Sequence, residues 1–274
     1  MFQKILKISI VFLLIASCSK DKDIAYKENT QINPFTLYEE AYRAFEKADF
    51  FFAEKKFSEA ELNFENPEFA AKSAIMSSYS LYGINFYDEA LDNLERYLKK
   101  YPADKNVIYA HYLIAIIHYE QISDEKKDLK PLIEAEKKIN FFLKKYPDSD
   151  YASDLFFKKD LIRNQKAAKE LYVAKYYIST QKWVPAINRL KNIVINYEKT
   201  VFIEEALHRL VEIHYYLGLE GEAKKYAKIL GYNYNSGEWF KQSYKVLNQD
   251  YKIVKKLKPK KDESFFKKIL KKIK

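Results

Sequence analysis

Leu98-Lys99-Lys100-Tyr101-Pro102 recurs 45 residues later as Leu143-Lys144-Lys145-Tyr146-Pro147. In both copies an apolar stripe at helical spacing runs into a lysine pair and then a proline. That is how a helix ends: lysines complement the negative end of its dipole, and proline offers no N–H to continue it. Each copy also lies downstream of an alanine set inside its stripe. Aligned on that alanine, five segments fall into register: FSEAELNF around Ala60, YDEALDNL around Ala90, LIEAEKKI around Ala135, WVPAINRL around Ala186 and EGEAKKYA around Ala223. A small residue at a fixed place in a repeated stripe lets two helices approach closely.

The rest of the chain reads the same way. Tyr38, Ala41, Tyr42, Phe45, Ala48 and Phe52 follow steps of three and four, one stripe down a helix. Breakers are expected at Pro67, Gly83, Pro102, Pro147, Gly218, Gly221 and Gly231, and Pro185 sits just inside a helix start, where its missing N–H is harmless. With only 5 Gly and 7 Pro in 274 residues, little material remains for the turns of an all-β protein. The predicted fold class is all-α. The alanine-centred segments resemble the tetratricopeptide repeat, which implies an α-solenoid of about five helix pairs over residues 35–250. Such repeats have a period near 34 residues, and each needs its neighbours to bury its apolar face. The intervals here are 30, 45, 51 and 37. They imply a trimmed first repeat, an insertion at the polar stretch Ser123–Lys130, and a helix running unbroken from Tyr151 towards Ser179.

The two ends of the chain differ from its body. Residues 1–17 join two lysines to an apolar run, 8–16, too short for a stable membrane span, and read as a signal peptide. Ile15-Ala16-Ser17-Cys18 matches a bacterial lipobox, and the single cysteine of the chain stands at the one position where acylation needs a thiol. Cys18 is the expected lipidation site. Acyl chains anchor through burial of methylenes at about 0.8 kcal/mol each. Ser19 follows Cys18, where an aspartate resembles an inner-membrane retention signal, so the periplasmic face of the outer membrane is the expected location. Residues 18–34 read as a flexible tether. At the far end, residues 251–274 form a basic tail, with eleven lysines from 252 onward against Asp262 and Glu263. Phe265, Phe266, Ile269, Leu270 and Ile273 share a helical face there, which suits an anionic bilayer, an acidic partner or a solvated tail. The formal charge of +10 resides almost wholly in the two ends. A near-neutral body lacks the basic stripe of a nucleic-acid reader.

Residues 169–240 carry a more specific likeness. YVAKYY, AINR, IEEAL, LGL and NYN stand there in the order and spacing of the last two repeats of the BamD family, outer-membrane protein assembly lipoproteins. ERYLKKYPADKNVIYAHYLIAIIHYEQI and KKYPDSDYASDLFFKKDLIRNQ resemble its middle repeats, of an alphaproteobacterial kind. The resemblance covers residues 18–250. It implies a scaffold and receptor of the β-barrel assembly machine, docked on the POTRA domains of the central subunit among other assembly lipoproteins and receiving unfolded outer-membrane proteins. It further implies a substrate-facing half, 35–150, and a partner-facing half, 151–250. The partner-contact arginine of the family falls on Arg189, beside Asn188. Arginine suits the task because its fork pairs with a carboxylate through two hydrogen bonds. Phe64-Glu-Asn-Pro67 departs from the Tyr-Pro pair common in the family, and the lysine tail has no family counterpart.

Repeat register places Lys72, Ile75, Tyr79 and Tyr82, then Tyr109, Tyr112, Ile116 and Tyr119, on the inner faces of two first helices. The tyrosines form a candidate groove for an extended peptide, their rings stacking and their hydroxyls bonding backbone. No catalytic chemistry is expected, and no cofactor or metal. His111 and His118 are seven residues apart and His208 and His214 six, not the four of an HExxH clamp, so all four read as packing residues. GxxxxGK[ST], GxGxxG and GxSxG do not occur. Two other readings are a pilotin-type lipoprotein for a secretin, expected to lack the AINR…LGL block, and a periplasmic cell-envelope adaptor, expected to lack the lipobox.

Overall fold

The computed structural model describes residues 33–124 and 128–248. Cys18, the signal and tether segments and the basic tail lie outside them. Eleven helices and no strand occur among the described residues: α1 Pro34–Glu46, α2 Phe50–Asn63, α3 Pro67–Gly83, α4 Tyr87–Lys100, α5 Val107–Glu120, α6 Lys130–Lys145, α7 Ala152–Ser179, α8 Trp183–Asn196, α9 Ile203–Tyr216, α10 Glu220–Asn233 and α11 Glu238–Asn248. The fold is an all-α array of tetratricopeptide-type hairpins. The five register alanines fall on the second helices α2, α4, α6, α8 and α10, and all five are fully buried.

The chain divides into two compact units at Ser80/Leu81. In the first, α1 packs on α2 through Ala41, Ala44, Ala53 and Phe57, with Tyr38, Phe45 and Met76 against them. Asn33 and Asp49 cap these two helices, each side chain accepting a free backbone N–H of the first turn. The part of α3 in this unit buries four serines, Ser73, Ser77, Ser78 and Ser80. Ser73, Ser78 and Ser80 donate to the carbonyls of Phe69, Ala74 and Met76, four residues back. Ser77 shares a 3.0 Å hydroxyl contact with Ser58 of α2. Their polarity is thereby absorbed, and the serines pack as small residues.

In the second unit the hairpins α5–α6, α7–α8 and α9–α10 pack internally and on their neighbours, and α11 covers α9 and α10. One core joins Ile116, Leu132, Ile139, Phe142, Leu155 and Ile162. The other joins Leu171, Leu190, Ile193, Leu207, Leu210, Leu230 and Val246. The repeated LKKYP closes α4 and α6: the Tyr101 and Tyr146 N–H groups donate to Tyr97 and Phe142 carbonyls, both at 2.8 Å. The lysines then lie in the last turn, where the dipole favours them. The long interval is α7, 28 residues without interruption, and the insertion is the segment joining α5 to α6. No helix among the described residues is long and apolar enough to cross a membrane.

Two expected breakers are not breakers. Gly221 and Gly231 both lie within α10. At Gly231 an added methyl would stand 3.0 Å from the Phe240 ring, so glycine here serves the close approach of α11. Gly218, at φ +74°, does occupy a left-handed turn. Two expected groove residues are core: Ile75 and Ile116 are 5% and 6% exposed.

The histidines pack as expected. His208 and His214 are buried, His214 with Nδ1 2.7 Å from the Leu210 carbonyl. His111 and His118 are half-buried on α5, His111 against Phe141 and Tyr146. Burial first, then nearby lysines (Lys145 and Lys138 for His111, Lys138 for His118), lowers both from the ordinary 6.5. Glu134 and Glu95 only partly offset this at His118. Above the unfolded value both rings are neutral in both states, and the full contribution is present. As pH falls past about 6.5 the unfolded chain takes the proton first, and stability is lost until the lower folded values are passed. The melting temperature is therefore expected to drop between pH 7 and pH 5, and less so in a His111→Gln/His118→Gln variant. An unchanged acid slope in that variant would contradict the assignment.

Candidate functional site

Asn188 and Arg189, the residues expected to contact a partner, sit on a cleft between α7 and α8. Ala186, Leu190 and Ile193 are buried in the core beneath them, which turns Asn188, Arg189 and Asn192 outward. Glu170, Tyr177, Pro185, Asn188, Arg189 and Asn192 enclose an open cleft of about 340 Å³. Arg189 Nη1 donates to both carboxylate oxygens of Glu170, at 3.1 and 3.2 Å. The glutamate is largely covered, whereas the arginine side chain is 46% exposed. Such an ion pair is worth at most about 1 kcal/mol and does not explain why arginine stands there. Its consequence is orientation. One nitrogen is held by Glu170, while Nε and Nη2 make no hydrogen bond among the described residues. The guanidinium is thereby held in one orientation with part of its surface open to solvent. Sequence reasoning missed Glu170, which lies 19 residues away across the hairpin; only knowledge of the helix pairing brings the two together.

The five tyrosines expected to line a groove are distributed over both units. In the first, the Tyr79 ring lies 5.5 Å from that of Phe45. In the second, Tyr109 and Tyr112 of α5 gather around Tyr151, at 5.7 and 4.6 Å, the latter pair stacked. The Tyr112 hydroxyl donates to Asp154 Oδ2 at 3.0 Å, and Lys158 holds the other oxygen of that carboxylate at 2.8 Å. Lys158 also stands over the Tyr119 ring, 5.3 Å from its centroid. Burial, then the hydrogen bond to Asp154, pushes the Tyr112 phenol well up. Burial does the same at Tyr119, against the opposing Lys158 charge. Both phenols are thus held neutral on partly buried side chains; Tyr112 commits its one proton to Asp154 and keeps its oxygen as an acceptor. Tyr82 stacks obliquely beside Tyr87, 6.1 Å away. Tyr151, Asp154 and Lys158 were not singled out by sequence. Asp154 and Lys158 stand four apart on α7, the spacing of a helical ion pair, and that spacing alone could have flagged them.

Comparison with known proteins covers both units. The family model described as YfiO, outer membrane lipoprotein, matches residues 30–230. A Rickettsia prowazekii protein named outer membrane protein assembly factor BamD is 32% identical over 239 residues, covering 87% of this chain and 94% of that protein. The Caulobacter vibrioides protein of the same name is 33% identical over 194 residues, covering 71% of this chain and 64% of its own length. A Neisseria gonorrhoeae protein of that name is 25% identical over 227 residues, 78% of this chain and 84% of the relative. With its alanine-registered hairpins and the AINR segment on an exposed cleft, the chain belongs to the YfiO (BamD) family of outer membrane lipoproteins.

Proposed function

We propose that this protein is a non-enzymatic lipoprotein subunit of the β-barrel assembly complex, working at the periplasmic face of the outer membrane. The observation that carries the reading is the family match over residues 30–230, with relatives named as outer membrane protein assembly factors on either side of 30% identity. Cys18 is the acylated residue that holds the chain on the membrane, residues 18–34 tether it, and residues 35–150 and 151–250 are its substrate-facing and partner-facing halves. The Arg189–Asn188 cleft takes a carboxylate-bearing surface of the POTRA-bearing central subunit. The half-exposed Arg189 side chain and its pairing with Glu170 support that role. Tyr79, Tyr82, Tyr109, Tyr112 and Tyr119 contribute to binding the extended strand of an unfolded barrel protein. The mechanism is binding throughout: neutral phenols present ring faces for stacking and hydroxyl oxygens that can accept a backbone N–H.

Depletion of the chain in its own cell tests this. Folded, heat-modifiable barrel proteins should fall several-fold and their unfolded forms should collect in the periplasm, with rescue by wild type but not by Cys18→Ala. Undiminished barrel folding on depletion would contradict the proposal.

A further inference from the structure

Three phenylalanines close the end of the first hairpin at which the chain enters it. Phe35 is the second residue of α1, Phe64 directly follows α2, and Phe69 lies in the first turn of α3. Drawn from three segments, their rings meet with centroids 5.0 Å (Phe35–Phe64), 5.1 Å (Phe35–Phe69) and 5.5 Å (Phe64–Phe69) apart. An interlocked trio of this kind belongs to a core, yet Phe35 is 51% and Phe69 38% exposed. Leu62, two residues before Phe64, is 81% exposed. Apolar side chains gathered at a surface mark a place where something else covers them.

The position of the patch along the chain says what that is. Fifteen residues separate Cys18 from Pro34. Whatever their conformation, they span at most about 50 Å. With Cys18 acylated, this end of the first hairpin is the part of the described fold closest along the chain to the bilayer. Contact between patch and bilayer is then an intramolecular event. The anchor has already met the cost of bringing the two together, so a small apolar surface suffices. The residues flanking the rings in sequence, Asn33, Asn63, Glu65, Asn66 and Glu68, are neutral or acidic. An attraction to anionic headgroups is therefore not what the patch is built for. Aromatic and leucine side chains at the interfacial level need no such charge.

We infer that Phe35, Phe64, Phe69 and Leu62 form a bilayer-contacting face that seats the first hairpin on the periplasmic leaflet. The inference rests on Cys18 being the acylated residue. Because acylation consumes the only native thiol, Leu62→Cys supplies a single free one for an environment-sensitive dye. Tyr232→Cys, at an 89% exposed position of α10, serves as the comparison. The full-length acylated chain is reconstituted in phosphatidylethanolamine/phosphatidylglycerol vesicles with and without nitroxide-bearing lipid. The dye at 62 should be quenched at least twofold more than at 232. Adding Phe35→Ser and Phe69→Ser should bring it to the level at 232, and melting curves check that the fold persists. Equal quenching at the two positions in the otherwise native chain would overturn the inference, even if the serine variant failed to fold. A response at 62 to an added apolar peptide, with none to vesicles, would overturn it in favour of a peptide-docking site. Dye on Cys18, with the chain failing to float with vesicles, would remove the anchor reading and the inference with it.

Discussion

Replacing Glu212 by alanine is expected to lower the unfolding free energy by about 3 kcal/mol, the lower end of what breaking a buried ion pair costs. Glu212 is 4% exposed on α9. Its carboxylate accepts Arg209 Nη1 at 2.8 Å and faces His208 Nε2 at 3.5 Å. The other ring nitrogen of His208 lies 2.8 Å from Ser243 Oγ on α11, and Arg209 stands over the Trp239 ring of the same helix at 5.7 Å. Arg209 also reaches Glu205 at 3.2 Å, which Lys175 of α7 meets at 2.8 Å. One connected set of polar groups thus fastens α7, α9 and α11 together. Removing Glu212 takes a strong acceptor from Arg209 and removes the carboxylate that faces the buried His208 Nε2. Glu205 remains for the arginine, which is also partly open to water, and this holds the loss to the lower end. Glu212→Gln keeps the shape and one acceptor oxygen, so its loss should be nearer 1 kcal/mol. Urea unfolding of the three proteins measures both. A loss below about 1 kcal/mol for Glu212→Ala would contradict the account of the network.

The second large effect is on binding. Arg189→Glu should weaken association with the POTRA-bearing subunit by about 2 kcal/mol or more, roughly thirty-fold. It also sets two carboxylates face to face on the α7–α8 hairpin, so loss of binding alone would not separate contact from local damage. The exchanged pair Glu170→Arg/Arg189→Glu does. It restores the internal ion pair, and thermal stability should return to within about 1 kcal/mol of wild type. Binding should stay lost, because the outward-facing group now carries the wrong charge. Recovery of affinity by the exchanged pair, measured by titration with the purified POTRA domains, would show that Arg189 acts only through Glu170.

How much of this was legible beforehand differs between backbone and site. The five alanines, the two LKKYP ends and the unbroken α7 were readable because each has a local physical cause: close helix approach, a proline stop, an absence of breakers. Gly231 was misread because its reason is tertiary, the Phe240 ring arriving from α11. The buried serines of α3 were not anticipated, since three of them turn their hydroxyls inward to the helix's own carbonyls and the fourth, Ser77, meets Ser58 across the helix pair. Ile75 and Ile116 show the limit of repeat register, where a one-position turn of the helix exchanges groove for core. Arg189 could be placed by family resemblance, but its orientation by Glu170 needed the hairpin. The Phe35–Phe64–Phe69 cluster needed three chain segments brought to one point.

The central claim is that this chain acts by holding the barrel-forming subunit at the membrane. Its most direct test is purification of the native acylated protein from detergent-solubilised membranes, with its stable companions identified by sequence. A barrel protein bearing POTRA domains is expected, recovered in near-stoichiometric amount. Recovery of a secretin subunit or a peptidoglycan enzyme in its place would contradict it.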